Sequence, residues 1–547
     1  MTNHTDDIVP GTVHLINVAG QTLEGQHGVH GSDIVLVPQP SKDPEDPLNW
    51  SQRRKFWALT MAIVYTFGVS IPQTMHFSVI ADITRDTGIS TADLVQGNGL
   101  MFLFLGWGCL FWQPIAMAYG RRGVYMASTL ICTPIMVWTA YSSTAGEWYA
   151  HRILIGCANA AIESLPEISI ADLFFAHDRD TWMAVYVLVL FASSFVSPII
   201  AGWFDVAYGW RWTMFLGAMI SALAFFILLF GMEETTYYRH SIEGEGFQNP
   251  SRSMTSTGSN DDKKPEKAQM VPISSIEHDA STTSPYPKPR TYLQKLKPFM
   301  RLSGRPTPKQ VLWMMWRPLP IILQFPNIAW SGFIYGINLS WYNVLNGTTS
   351  PVLSAPPYNW SAALIGCIYV GPIIGSILGC LWSGWLADKW VLRLARRNGG
   401  IREPEQRLWP LAIAGVFTCA GLILWGVGAA HGIHWLGLAF GLGMLTFGLI
   451  VGGSIGLSYA VDCFKEISGE SMASVIIIRN TMGFGFSYAI TPWYTDVGLQ
   501  DCFLTAGFVS LACMMTFLGM VWKGKALRRW SARAYWRYVE SSLVASH

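Results

Sequence analysis

Residues 181–231 read TWMAVYVLVLFASSFVSPIIAGWFDVAYGWRWTMFLGAMISALAFFILLFG. Only Asp205 and Arg211 are charged: Asp205 falls near the end of one apolar run, 181–207, and Arg211 stands just before the next, 212–231. A run of about 20 apolar residues, wound as an α-helix, crosses the ~30 Å hydrocarbon core of a bilayer. Comparable runs recur upstream at 55–79, 93–118, 123–144 and 148–171, and downstream at 318–344, 361–385, 408–430, 434–459, 470–495 and 499–522. The pattern predicts an all-α integral membrane protein with twelve transmembrane helices, six on each side of a polar stretch.

Composition agrees. The 547 residues carry 37 Lys+Arg and 35 Asp+Glu, a formal charge of +2. Charged residues make up 13% of the chain, about half the ~25% of a soluble protein, and mean hydropathy is +0.30. Low charge with abundant Trp, Phe and Gly suits a surface that faces lipid. The balanced charge gives no electrostatic footprint for nucleic acid. Nine scattered cysteines without a C-x-x-C pair read as small buried hydrophobes, not as a disulfide frame or zinc site. His431 and His434 have no third ligand nearby, so no metal or cofactor is expected. No G-x-x-x-x-G-K-[ST] loop and no H-E-x-x-H occurs, which leaves ATP-driven transport unsupported and an enzyme remote.

The organisation expected is a polar, disordered cytoplasmic tail at 1–54, a six-helix bundle at 55–232, a cytoplasmic loop at 233–317, a second bundle at 318–522 and a cytoplasmic tail at 523–547. Residues 1–50 lack an apolar signal-peptide core, so the first span is expected to act as the membrane signal. The central loop is rich in Ser, Thr and Pro and lacks the apolar surface that folding requires. It reads as a passive linker or as a phosphorylatable regulatory loop. Arg121 and Arg122 follow span 2, Arg179 follows span 4, and larger sets of Lys and Arg follow spans 8 and 12, whereas 345–360 holds none; the bias places both termini in the cytoplasm. Asn346 and Asn359 then fall outside as candidate N-glycosylation sites.

After span 8 stands Gly384-Trp385-Leu386-Ala387-Asp388-Lys389, followed by Arg393, Arg396 and Arg397; the matching place after span 2 reads Met117-Ala118-Tyr119-Gly120-Arg121-Arg122. An acid at a helix end facing arginines across a short loop is a charge latch, able to hold two helices in one state and release them in another. Together the segments resemble the loop motif of the major facilitator superfamily, G-x-L-a-D-r-x-G-R-R, split between two repeats. Met117 stands where that pattern has an acid, so the copy after span 8 follows it more closely. Asp46-Pro47-Leu48-Asn49-Trp50, Arg152 with Gly156, Glu163-Ser164-Leu165-Pro166-Glu167, Gly209-Trp210-Arg211-Trp212 and Arg479-Asn480 are similar to segments of the fungal twelve-span drug/proton antiporters of that superfamily. So is Ser197-Pro198-Ile199-Ile200-Ala201-Gly202, with Ser197 and Ala201 in place of glycines. The resemblance covers about residues 42–530. It implies the major facilitator fold: two six-helix bundles around a central cavity that opens alternately to each side.

Span 4 carries the strongest chemistry. Glu163 and Glu167 are four residues apart, as are Arg152 and Gly156, and each pair would share a face of a continuous helix. At hydrocarbon depth an ionised carboxylate is expensive, so Glu163 can load a proton and release it when water or a cation arrives. The rival role is a packing bond to a neighbouring helix, and Glu167, nearer the cytoplasm, reads as structural. Pro166 is expected to bend the span and free a carbonyl. The resemblance implies that Arg152 takes part in proton coupling; the rival is snorkelling to the outer face. Arg479, about ten residues into span 11, must face an acid, a cavity or free carbonyls. Gln73 and His76 in span 1, and Gln324, Asn327, Tyr335 and Asn338 in span 7, suit a cavity for flat amphipathic molecules or act as interhelical glue.

These readings converge on a monomeric, proton-coupled exporter of a small organic molecule across the plasma membrane, or alternatively the vacuolar membrane. Its partners would be the lipid bilayer, protons and a fungal secondary metabolite, toxin or drug. Uptake of a cationic nutrient such as a polyamine is the alternative, and a transporter-like receptor is a third.

Overall fold

In the computed structural model, ten helices among the described residues are long and apolar enough to cross a membrane. They are Gln52–Ser78, Thr91–Tyr119, Arg121–Tyr141, Ala145–Leu173, Thr181–Tyr208 and Trp210–Gly231 in the first half (spans 1–6). Ala362–Val391, Pro404–Ala430, Trp435–Cys463 and Leu499–Glu540 follow in the second (spans 8, 9, 10 and 12). Pro326–Ser354 (span 7) and Ser468–Val497 (span 11) are of spanning length, at 29 and 30 residues. They are polar for a physical reason: they pack against each other and across the molecular centre, so less of their surface needs to match lipid. The description covers residues 46–237, 306–397 and 401–545, with Pro10, Gly11, Val13, His14, Asp43, Leu296 and Lys297. The remainder of the expected tail, most of the central loop, Asn398-Gly399-Gly400 and the side chain of Asp388 lie outside the described residues.

Several boundaries differ from the sequence reading. Span 7 starts at Pro326 after a separate short helix, Pro318–Gln324, and continues to Ser354. Residues 345–354, expected in a loop, are therefore helical. The chain after 522 does not leave its helix: Phe517–Ala545 is one element. Val13–His14 pairs antiparallel with Ile401–Arg402, and Arg528 donates a hydrogen bond to the Pro10 carbonyl. The face that carries both termini is called the terminal face below, and its opposite the far face.

Span 4 is not one continuous helix. It runs α-helical over Ala145–Asn159, tightens to a 3₁₀ turn at Ala160–Glu163, and restarts at Leu165–Leu173. Pro166 sits in the first turn of the restarted helix, where its missing N–H costs nothing. The break frees carbonyls that other spans satisfy. Trp112 Nε1 donates to the Cys157 carbonyl at 2.7 Å, the Cys109 thiol to Ala160 at 3.2 Å and the Tyr186 hydroxyl to Ile162 at 2.5 Å. Above the break, Gly156 lets span 4 touch span 2: a Cβ there would lie 2.4 Å from the Met101 carbonyl oxygen. Gly156→Val should separate the two helices and cost about 1–3 kcal/mol, read as a lower melting temperature of the purified protein.

The halves meet where span 2 lies along span 11 and span 5 along span 8. Trp107 Nε1 donates to Thr481 Oγ1 at 3.2 Å, and Gln113 Nε2 to the Gly469 carbonyl at 3.2 Å. A Cβ on Gly202 would lie 2.2 Å from the Ala362 carbonyl oxygen, and one on Gly366 2.5 Å from that of Pro198. The Ser197–Gly202 segment is thus a close-packing surface for span 8, and Ser197 Oγ also donates to the Ile71 carbonyl at 2.6 Å. Toward the far face the Ser350 hydroxyl accepts from the Ala81 amide at 3.2 Å.

Candidate functional site

The 3₁₀ turn of span 4 delivers Glu163 to the midline between the halves. There its carboxylate accepts a charge-assisted hydrogen bond from the Arg479 guanidinium of span 11. Both side chains are at least nine-tenths buried, at 9% and 7% exposure. Arg479 also lies over the Tyr335 ring, 4.4 Å from its centroid, a cation–π contact that holds the guanidinium in place. The two charges come from different halves and lie 316 residues apart in sequence. Glu167 is buried close by, with one carboxylate oxygen unpartnered. Because the helix breaks between them, Glu163 and Glu167 do not share a regular helical face.

A cavity of about 60 Å³ adjoins the pair, lined by Gln73, Glu163, Arg479, Asn480, Tyr342 and neighbours. That is far below the ~300 Å³ or more of a site enclosing a drug-sized ligand, so the centre is closed in this conformation. Its walls carry unused hydrogen-bonding groups: both amide atoms of Asn480 and the Tyr342 hydroxyl. Gln73 accepts from Asn159 at 3.1 Å. A much larger groove of about 870 Å³, lined by Phe111, Leu130, Phe226 and other apolar side chains, belongs to the outer surface of spans 2, 3, 4 and 6.

Of the residues proposed for the cavity, Tyr335 and Gln73 reach the centre and the others do not. Gln324 is exposed at the end of its short helix. Asn327 ties spans 7, 10 and 12 together, donating to the Tyr459 hydroxyl at 2.7 Å and the Gly524 carbonyl at 3.3 Å. Asn338 donates to the Ile334 carbonyl at 2.8 Å and accepts from Thr418 at 3.4 Å. These two are interhelical glue. His76 lies against Trp148, not in the cavity, and Arg152 is buried in the same cluster, so snorkelling does not describe it. Asn346 is buried inside span 7, its Oδ1 accepting from the Tyr369 hydroxyl at 3.0 Å, which removes it as a glycan acceptor; Asn359 is exposed.

On the terminal face, where Met117 stands in place of an acid, the arginines after span 2 find acids from other spans. The Arg121 guanidinium pairs with Asp172 at the end of span 4 and donates to the Ile168 carbonyl at 2.8 Å. The backbone amides of Arg121 and Arg122, at the helix N-terminus, donate to Glu234 at 2.9 and 3.2 Å, where a negative charge is favoured. Gly120 has φ +103°, and a Cβ there would lie 2.5 Å from the Glu234 carboxylate. Glu234, just past span 6, escaped the sequence reading; the signal was an acid pair, Glu233-Glu234, on the face that already held two arginines. In the second half Arg407 meets Asp462 at 3.1 Å, joining the start of span 9 to the end of span 10 as Arg121 joins spans 3 and 4. Arg528 of span 12 holds Glu405 through two bonds of 2.9 and 2.7 Å. Gly384 falls in a π-helical turn, Trp382–Leu386, and the Lys389 ammonium sits 3.5 Å from the centroid of the Trp385 ring.

Gly452-Gly453-Ser454-Ile455-Gly456 has the G-x-S-x-G spacing of a nucleophile elbow, but it lies within the helix Trp435–Cys463 and not on a strand-to-helix turn. The comparisons point to transport. The chain is 30% identical to an uncharacterized MFS-type transporter of Schizosaccharomyces pombe, over 97% of this chain and 94% of that one. It is 26% identical to Protein HOL1 of Saccharomyces cerevisiae over 97% of each. Among solved structures it shares a fold with a peptide transporter, with TM-score 0.57 and 11% identity over 86% of this chain and 95% of that one. Residues 59–492 match the Major Facilitator Superfamily, and the chain belongs to that family as a multi-pass membrane transporter, not an enzyme.

Proposed function

We propose that the chain is a proton-coupled exporter of small organic molecules at the plasma membrane, with the terminal face cytoplasmic. The observation that carries this reading is the Glu163–Arg479 pair, one charge from each half, buried beside the central cavity. Protonating Glu163 removes the attraction that ties span 4 to span 11 and frees the halves to move; releasing the proton restores it. One proton entering down 100 mV supplies ~2.3 kcal/mol, enough to concentrate a neutral solute about fiftyfold. The Arg121–Asp172–Glu234 and Arg528–Glu405 clusters act as latches on the cytoplasmic side.

One observation favours a second reading. Glu163 and Glu167 give the centre two carboxylates against the single guanidinium of Arg479, which suits a cargo bearing a positive charge, moved in either direction. Yeast lacking its own efflux pumps separates the two. With this chain expressed, export gives lower accumulation of particular members of a compound panel, and uptake gives higher accumulation of amines. A panel unaffected by the chain in either direction would contradict both readings of its cargo.

A further inference from the structure

Arg152 presents an electrostatic problem that the central pair does not solve. It lies in the second turn of span 4, near the far face, and is 1% exposed. Its Nε and Nη2 have no hydrogen-bond partner, and Nη1 donates only a weak hydrogen bond to the Met101 sulfur, at 3.9 Å. The guanidinium stacks on Trp148, 4.2 Å from the ring centroid. No acidic side chain pairs with it among the described residues, and Glu163 is engaged by Arg479. A cation buried this way is strongly unfavourable unless a counter-charge accompanies it.

The groups around it are nitrogen-rich. His76, in the 3₁₀ turn that ends span 1, is fully buried with no well-formed hydrogen bond at either ring nitrogen, and its ring lies 6.0 Å from that of Trp148. Asn98 of span 2 is 4% exposed and faces the His76 ring, with neither amide atom in a well-formed hydrogen bond. His151 packs 4.9 Å from Trp148, with Nε2 free of partners. The neighbouring acids are accounted for: Asp93 accepts from Ser90 and Tyr149, and Glu147 accepts from the Ser143 amide at the surface.

We propose that the N-terminal bundle holds a resident monovalent inorganic anion, such as chloride, bound by Arg152 with Asn98 and His76. A guanidinium, an amide N–H and an imidazole N–H are the donors such an ion requires. All belong to one half and are nearly inaccessible, apart from the Glu163 centre, which fits an ion that stays in place and not a cargo that must pass. Neither the direction nor the coupling of transport has to be known for this site to hold an ion.

The test is a melting series on the purified full-length chain, without cargo, exchanging gluconate for chloride or bromide. A ligand of the folded state raises the melting temperature with a saturable dependence on concentration. The wild-type curve should rise by a few degrees and level off; Arg152→Gln should be flat, and Arg152→Lys should keep part of the response. If Arg152→Gln does not fold, Asn98→Leu, which leaves the charge intact, should raise the half-saturating concentration severalfold. Crystals grown in bromide should show its anomalous signal within hydrogen-bonding distance of Arg152. Equal melting in gluconate and halide, a halide response unchanged in both Arg152→Gln and Asn98→Leu, a water in place of bromide, or stabilisation by organic carboxylates such as benzoate but not by halide would each overturn the proposal.

Discussion

Glu163→Gln leaves the protein folded and delivered to the membrane, while cargo flux driven by a proton gradient falls about 5–150-fold, the span of a typical coupling free energy. The substitution keeps the size and hydrogen-bonding capacity of the side chain and removes only the titratable charge. Arg479 then keeps Glu167 as a nearby carboxylate and Tyr335 as a π partner, so the loss belongs to coupling and not to folding. Arg479→Gln acts differently, because it leaves Glu163 without its cation in a buried site, and it should lower stability as well as flux. The double variant Glu163→Gln/Arg479→Gln should regain stability without regaining proton-driven flux. Melting temperature and flux measured on all four proteins form a double-mutant cycle that separates the two effects.

The second large effect lies on the terminal face. Arg528 is completely buried, Glu405 is 6% exposed, and two bonds join them. Removing one partner of a buried pair leaves an uncompensated charge and costs about 3–5 kcal/mol. Arg528→Met should therefore lower the melting temperature sharply, and it also removes the donor to the Pro10 carbonyl. Glu405→Leu alone should be as damaging. Arg528→Met combined with Glu405→Leu should recover most of the loss, since an apolar pair of similar volume replaces a buried ion pair at little net cost. A double variant no more stable than either single one would show that the cluster is held by something other than its charges.

The fold was legible because a bilayer demands long apolar helices, and the runs at 181–207 and 212–231 satisfy that demand without help from the rest of the chain. Helix ends were less legible. Residues 345–354 look like a loop because Asn346, Thr348 and Thr349 are polar. In the folded protein the two threonine hydroxyls donate to the Val344 and Leu345 carbonyls one turn earlier, at 3.0 and 2.6 Å. Local bonding thus lets polar residues continue the helix.

The site was legible in its parts and not in its pairing. A charge inside an apolar run is costly, so Glu163, Arg152 and Arg479 stood out individually. That Arg479 meets Glu163 while Arg152 is left beside His76 depends on how the two halves pack, across 316 residues of sequence. The same holds for Glu234, whose meaning comes only from facing the amides of Arg121 and Arg122. The break in span 4 was signalled by Pro166, but its caps, Trp112, Cys109 and Tyr186, lie on other spans.

Proton coupling through Glu163 is the central claim, and proton movement is its most direct test. The protein is reconstituted in liposomes containing a pH-sensitive dye, and a gradient of the cargo found in the accumulation panel is imposed without any pH gradient. The account predicts that cargo flow through the wild-type protein drives protons in the opposite direction, and that Glu163→Gln passes cargo without a pH change. A pH change of equal size in Glu163→Gln, or none in the wild type during measurable cargo flux, would contradict it.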